Sequence, residues 1–480
     1  MAGLLVTGTS SDAGKSLIVT GLCRAWARRG IRVAPFKSQN MSNNSMVCED
    51  GSEIGRAQYL QAQAAGVTAS SLHNPVLLKP GSDRRAFVVV RGKAAGELQA
   101  GEYATSRGPL AEAAYAAYEE LLENHDLVVA EGAGSPAEIN LRASDYVNMG
   151  LARRFNIPTI VVADIDRGGA LASLYGTWAL LDDDDRALLR GFMMNKFRGD
   201  LAVLAPGLTA ISQRTGMRDF GTMPWLHNAW LDSEDSLSTA LWPKPTHKET
   251  LDVAVVRLPR VSNATDVDAL AAEPGVGVHV TNDLSHCLDA HLLVIPGSRA
   301  TVSDLAWLRD TGLAEVIRER VARGKPVLGI CGGYQMLGER IEDEIESKAG
   351  AVEGLAALHA HTRFSAEKVL ARPSGEWRGH SVSGYEIHHG IVSAAGTFPG
   401  GTHEGNTYGT IWHGTMECDE FRRAWLSEVA AAAGSSWTPS ADAPSYAGRR
   451  ERMIDDLADA LASHVDLDAL LAVAKSGGTA

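Results

Sequence analysis

Leu4-Leu5-Val6-Thr7-Gly8-Thr9-Ser10-Ser11-Asp12-Ala13-Gly14-Lys15-Ser16 joins a short apolar run to a glycine-bounded loop, and a helix-forming stretch follows to Arg29. A continuous apolar run without polar alternation is how a strand buried on both faces reads. Glycines let the backbone close around phosphate oxygens, and the helix that follows offers unsatisfied N–H groups. Lys15 adds positive charge, and the Ser16 hydroxyl is a ligand for magnesium. Thr9, Asp12 and Gly14 lie in the same loop and are candidate nucleotide contacts. The spacing is one residue longer than Gly-x4-Gly-Lys-Ser, because five residues separate Gly8 from Gly14.

Runs of the same kind recur at Leu127–Ala130, Pro158–Ala163, Val253–Val256, Leu292–Ile295 and Pro326–Ile330, with helix-like stretches such as 110–123 and 313–323 between them. This alternation predicts an α/β fold built on parallel sheets. At 480 residues the chain exceeds the size at which one core keeps growing, so two domains are expected. Between Asp232 and Glu249 the composition turns to Asp, Ser, Pro, Lys and Thr, and Trp242-Pro243-Lys244-Pro245 disfavours helix on either side. The expected division is a first domain over 1–232, a linker over 233–250 and a second domain over 251–434. Over 435–480 an Ala-, Ser-, Gly- and Pro-rich segment precedes a helical pattern at 449–473, which reads as a flexible excursion and a C-terminal helix.

Charged residues make up 21% of the chain and the formal net charge is -13, a balance that gains nothing from general contact with nucleic acid. No apolar run approaches the roughly 20 residues of a spanning helix, and Gly3–Gly8 is too short for a signal h-region, so no membrane partner and a cytoplasmic location are expected. Cys23, Cys48, Cys287, Cys331 and Cys418 are scattered and form no Cys-x-x-Cys pair, which argues against a disulfide framework or a zinc site.

One cysteine stands apart. Gly329-Ile330-Cys331-Gly332-Gly333 follows an apolar strand, and small neighbours allow a nucleophile to occupy a strained strand-to-helix turn with the helix N-terminus favouring thiolate. A thiol that attacks an amide needs a base to receive and return the proton. His413 in Tyr408-Gly409-Thr410-Ile411-Trp412-His413-Gly414 is the best-placed candidate, with His388 and His389 as competitors. Pro296-Gly297-Ser298, ending another apolar run, can present backbone N–H groups to an oxyanion. At the other centre, Glu131 ends the Leu127–Ala130 run where a second acidic magnesium contact is expected. Asn195-Lys196 resembles a base-reading dipeptide, and Arg198, standing where guanine selection would want aspartate, favours adenine.

Together these segments resemble the cobyric acid synthase family, glutamine-dependent amidating enzymes of cobalamin biosynthesis. The resemblance is carried by the blocks 35–45 (Pro35-Phe36-Lys37-Ser38-Gln39-Asn40-Met41-Ser42-Asn43-Asn44-Ser45), 55–58, 74–80, 164–169 and 195–200, and continues through 258–263, the Cys331 elbow, 384–388 and His413-Gly414. It implies an N-terminal domain similar to dethiobiotin synthetase, which activates carboxylates with ATP, and a C-terminal class I-like glutamine amidotransferase domain. It implies amidation of four peripheral carboxylates of a corrinoid, cobyrinic acid a,c-diamide, with one glutamine and one ATP consumed for each. In family terms Cys331 is the nucleophile, His413 its base and Gln335 a contact to glutamine. Lys15, Ser16, Lys37 and Glu131 serve ATP and Mg2+, and Asp145 matches a position near the synthetase site.

Two positions depart from the broader pattern. Class I amidotransferases carry a glutamate two residues after the histidine, where this chain has Thr415, so the third member of the triad is left unassigned. His389 stands where an apolar residue is expected. For the acidic macrocycle, Lys79, Arg84, Arg85, Arg142 and Arg167 are candidate positive contacts. Three other readings compete: the sister enzyme amidating the a and c carboxylates, a P-loop regulatory ATPase with an inactive amidotransferase-like domain, and a corrinoid carrier. The 35–45 block opposes the first, the intact Cys331 elbow the second, and the want of an Asp-x-His-x-x-Gly setting the third.

Overall fold

Ala2–Gly8, Leu127–Glu131 and Thr159–Asp164 are buried along their whole length, so these strands have no solvent face for alternation to mark. They lie in a six-stranded sheet whose spatial order is Arg218–Pro224, Leu189–Phe197, Thr159–Asp164, Ala2–Gly8, Leu127–Glu131, Val33–Phe36. Every pairing in it is parallel. The carboxyl ends therefore share one edge, and the strand order turns at Ala2–Gly8, where an open α/β sheet leaves a ligand crevice. The phosphate loop, Glu131, Asp164 and Asn195 all come from that edge. Beneath it Tyr118 packs edge-on against Phe36 at 5.0 Å and tilted against Phe155 at 4.8 Å, fixing a helix to the sheet.

The computed structural model describes residues 2–82, 85–99, 107–229 and 250–477. Arg84 and the linker residues 233–249 lie outside them.

A second six-stranded sheet runs Val276–Thr281, Leu251–Val256, Leu292–Ile295, Val327–Ile330, Thr407–Thr410, Gly401–Glu404. It is parallel except for its last pair, in which Gly401–Glu404 runs antiparallel to Thr407–Thr410. A smaller sheet of Gly350–Glu353, Arg340–Asp343, His361–Ala371 and Glu386–Ser393 belongs to the same part of the chain. The α/β fold with two parallel-sheet domains is as the apolar runs predict.

The two units are not consecutive in sequence. Among the described residues one unit takes 2–42, 48–229 and 451–477, and the other takes 43–47 and 250–450. Two segments thus differ from the sequence-based division. The 43–47 stretch, read as part of the first domain, packs within the second unit. From Glu451 on, the C-terminal helices Tyr446–His464 and Leu467–Ser476 return to the first unit. There Arg24 pairs with Glu451, Arg28 with Asp455 at 2.6 Å and Asp459 at 2.7 Å, and Arg29 with Asp468 at 2.7 Å. A Cβ at Gly21 would stand 2.5 Å from Leu461 Cδ1 and 3.1 Å from the backbone Leu457 O, so glycine favours this close approach of the two helices. The stretch expected as a flexible excursion is pinned in the second unit by Trp437, which is buried and donates from Nε1 to Pro274 O at 2.9 Å. Apolar burial outweighs a composition that by itself reads as loose.

Candidate active site

The strand Val327–Ile330 ends at Cys331, whose φ of 50° and ψ of −108° place it outside the regions an L residue prefers. A conformation of this kind costs about 1–3 kcal/mol and persists only where the surroundings over-determine it. Here Cys331 N donates to Thr410 O at 2.7 Å and Gln335 N donates to Cys331 O at 3.0 Å, tying the elbow to the neighbouring strand and to the helix Gly332–Leu337. The flanking glycines are steric requirements. A Cβ on Gly332 would lie 2.8 Å from Ser298 N, and one on Gly333 would lie 2.0 Å from Ile295 O. Both obstacles are backbone, which cannot rotate aside. Gly333→Ala is therefore expected to destabilise the unit by on the order of 3 kcal/mol, read as a lower urea midpoint.

His413 brings its imidazole to this elbow, and its Nδ1 donates to Asp266 Oδ2 at 2.7 Å. The second Asp266 oxygen accepts from Gly414 N at 2.8 Å. Both side chains are buried, at 1% and 3% exposure, so the bond is shielded from competing water. Burial disfavours the imidazolium, but the charge and hydrogen bonds of Asp266 and Cys331 outweigh it and raise the His413 pKa from 6.5 to about 10. The Tyr385 ring stacks on the imidazole at 5.3 Å, and a Cβ on Gly297 would lie 3.2 Å from His413 Cε1. Gly297 thus abuts the imidazole, and Ser298 N lies beside Gly332.

Where position 415 offers no carboxylate, His413 Nδ1 is met instead by Asp266, 147 residues away in sequence. Nothing local to His413 announces it. The one available signal is that Asp266 falls three residues beyond the Leu258–Asn263 block.

Other cysteines and histidines find different settings. Burial pushes the Cys23 thiol far up, with Glu131 adding to the effect, and pushes Cys287 up to about 11, which suits inert core thiols. His388 faces Glu386 at 3.6 Å, while His389 Nδ1 meets Ser365 O at 3.0 Å. Gln335 is buried, its Oε1 accepting from Thr301 Oγ1 at 3.2 Å and its Nε2 lying 2.4 Å from where a Gly390 Cβ would be.

In the first unit Glu131 is the hub. Its Oε1 accepts from Ser16 Oγ and from Lys37 Nζ, both at 2.8 Å, and its Oε2 accepts from Gln61 Nε2 at 2.6 Å. Lys15 Nζ donates to Ser10 O at 2.9 Å and Gly134 O at 3.2 Å, spanning the phosphate loop and the glycine loop after Glu131. The loop is braced from the next strands. Thr9 N donates to Val162 O at 2.9 Å, and Lys196 Nζ reaches Asp12 O at 2.6 Å and Asp164 Oδ2 at 2.9 Å. Gly14, at φ 93°, leaves no room for a Cβ, which would stand 2.1 Å from Asn195 Nδ2. That amide nitrogen donates to Ala13 O at 2.9 Å, so Asn195 holds the loop itself. The Ser16 hydroxyl and the Glu131 carboxylate fit a hard cation, since both are oxygen donors 2.8 Å apart at the mouth of the loop.

Asp145 shares none of the bonds of this hub. Oδ1 accepts from Val147 N at 2.8 Å and Asn148 N at 2.9 Å, and Oδ2 accepts from Gly150 N at 2.8 Å. These bonds organise the turn into the helix Met149–Phe155. Of the basic residues considered for the macrocycle, Lys79 is buried against Glu53 at 2.7 Å and does not face solvent. Arg142 is held by Asp185 at 2.6 and 2.8 Å, and Arg85 lies 3.6 Å from Glu97. Arg167 is exposed at the loop, 3.1 Å from Asp12.

Residues 4–237 match the CobQ/CobB/MinD/ParA nucleotide binding domain, and residues 252–421 match the CobB/CobQ-like glutamine amidotransferase domain. A cobyric acid synthase of Cutibacterium acnes is 60% identical over 98% of this chain and 99% of its own length. Those of Mycobacterium marinum and Nocardia farcinica are each 53% identical over 99% of this chain and 97% of theirs. With a nucleotide-binding edge and a thiol, imidazole and carboxylate centre on one chain that aligns end to end with these proteins, it belongs to the cobyric acid synthase family.

Proposed function

We propose that this chain amidates the b, d, e and g carboxylates of (adenosyl)cobyrinic acid a,c-diamide to give (adenosyl)cobyric acid, using ATP and glutamine. The observation that carries this reading is the end-to-end match to cobyric acid synthases together with a complete set of groups at each centre. A carboxylate is a poor electrophile, and hydroxide is a poor leaving group. ATP removes both obstacles: the carboxylate oxygen attacks the γ-phosphorus, ADP leaves, and ammonia then displaces phosphate from the acyl phosphate. Lys15 and Lys37 supply positive charge where the phosphoryl oxygens gain negative charge. Ser16 and Glu131 are the residues that would hold Mg2+, which when bound neutralises phosphate charge. Thr9, Asp12 and Gly14 shape the loop, and Asn195, which braces it at Ala13, is proposed to contribute to the adenine side of the site.

At the thiol centre Cys331 attacks the amide carbon of glutamine and His413 protonates the departing ammonia. His413 then deprotonates a water that opens the glutamyl thioester to glutamate. Asp266 keeps Nδ1 protonated, leaving Nε2 as the working nitrogen. Backbone N–H groups around Gly297 are proposed to steady the oxyanion, and Gln335 to shape the glutamine pocket from within. Dependence on ATP and on a reduced thiol suits the cytoplasm.

Mass spectrometry of cobyrinic acid a,c-diamide incubated with the protein, glutamine and Mg-ATP tests the proposal. A ladder of four amidations supports it, and an unchanged mass with either nitrogen source and either corrinoid form refutes it. Glu131→Gln separates the centres. It is expected to lower amidation about 10²–10³-fold with glutamine or with ammonia, while glutamine hydrolysis measured by glutamate release is retained.

A further inference from the structure

Between Ser42 and Cys48 five residues of the chain pack within the amidotransferase unit. They are held there by specific bonds. Asn43 O accepts from Ser262 Oγ at 3.1 Å and from Asn263 N at 3.4 Å. Asn44 Oδ1 accepts from Ala264 N at 3.1 Å, and Ser45 N donates to Asn263 Oδ1 at 2.9 Å. Asn263 is buried, with a φ of 51°, a left-handed conformation that asparagine tolerates better than most residues. Val47 is buried in a cluster with Tyr385 and Ile387.

Both ends of this contact lead to the same imidazole. Ser262–Ala264 runs directly into the one-turn helix Ala264–Val267, which carries Asp266, the partner of His413 Nδ1. Tyr385 stacks on the His413 ring and exchanges backbone bonds with it, N to O at 3.0 Å and O to N at 2.9 Å. The 43–47 segment therefore touches the support beneath the carboxylate and the support beside the ring.

We propose that residues 43–47 form a positioning strap for the Cys331–His413–Asp266 centre, with Asn44 and Asn263 as its positioning residues. The proposal rests on the reading of that centre as a glutaminase. It gives the end of the 35–45 block, whose Lys37 meets Glu131 in the first unit, a role in the thiol chemistry. A small displacement of the Asp266 turn alters the length and angle of the His413 bond, and misplacement of a catalytic group by about 1 Å costs on the order of 10²-fold in rate.

The test compares Asn44→Ala, Asn44→Asp and Asn263→Gly with the unaltered full-length protein. Aspartate keeps the acceptor for Ala264 N; glycine keeps the backbone conformation of Asn263 but removes the acceptor for Ser45 N. Asn44→Ala and Asn263→Gly are expected to lower kcat for glutamine hydrolysis about 10- to 100-fold. KM for glutamine and ammonia-dependent amidation stay near their original values, and Asn44→Asp recovers most of kcat. The titratable groups around His413 are Asp266 on the short helix, Cys331 at the elbow, and Tyr385 and Glu386 from the Glu386–Ser393 side. A loosened Asp266 lowers the His413 pKa, so the alkaline limb of the hydrolysis profile moves to lower pH. Unchanged kcat and unchanged limbs in the folded variants, whatever their melting temperatures, overturn the strap. Should Asn44→Ala not fold, Asn263→Gly decides, because glycine holds that φ without strain. If the unaltered protein releases no glutamate, the glutaminase reading fails instead.

Discussion

Cys331→Ala is expected to abolish glutamine-dependent amidation, by about 10⁴-fold or more, and to leave ammonia-dependent amidation intact. No other thiol can take over. Cys23 and Cys287 are buried with raised pKa values, Cys48 is buried in the first unit, and the sulfur of Cys418 lies 3.3 Å from Ser383 N on a different element. Alanine keeps a Cβ and so accepts the same φ of 50° at the same cost, which separates loss of the sulfur from loss of the elbow. The measurement is amidated corrinoid formed with glutamine or with ammonium at alkaline pH, where free ammonia is abundant. Rescue by ammonia locates the defect at nitrogen release; failure of both nitrogen sources would mean that the variant has lost its fold or that the carboxylate is not activated separately.

Asp266→Asn is expected to cost about 10²–10⁴-fold in glutamine hydrolysis with little change in KM, because asparagine keeps the shape but cannot hold Nδ1 protonated by charge. The sign of the pH effect follows from His413. Its pKa is raised from 6.5 to about 10, with burial opposing and Asp266 and Cys331 prevailing. The stability contributed by this protonation is fully present below pH 6.5 and is lost as pH rises toward about 10. The difference in unfolding free energy between the original protein and Asp266→Asn should thus be largest below pH 6.5 and shrink across that window, as read from urea denaturation at a series of pH values. A constant difference across the window would show that Asp266 acts through packing alone.

Local chemistry that falls within a few residues was readable from the chain. The loop Gly8–Ser16 and the elbow Gly329–Gly333 each announce their turn by glycines, and the structure shows why: a Cβ at Gly14 or Gly333 would stand 2.1 or 2.0 Å from a neighbouring atom. Asp266 was not readable, because a carboxylate 147 residues from its histidine leaves no spacing to recognise. Lys79 misled for the opposite reason. Its charge suggested an acidic ligand, but tertiary packing gave it Glu53 as a buried partner.

By itself the sequence determined the α/β class, the phosphate loop, the nucleophile elbow and the family, since apolar run length, glycine placement and contiguous motif blocks are properties of neighbours along the chain. Only the tertiary structure decided the pairing of Asp266 with His413, the packing of 43–47 within the second unit and the return of the C-terminal helices to the first. Each of these is a long-range contact, made by hydrogen bonds and burial between segments that the chain separates and only the folded sheet edges and turns bring together.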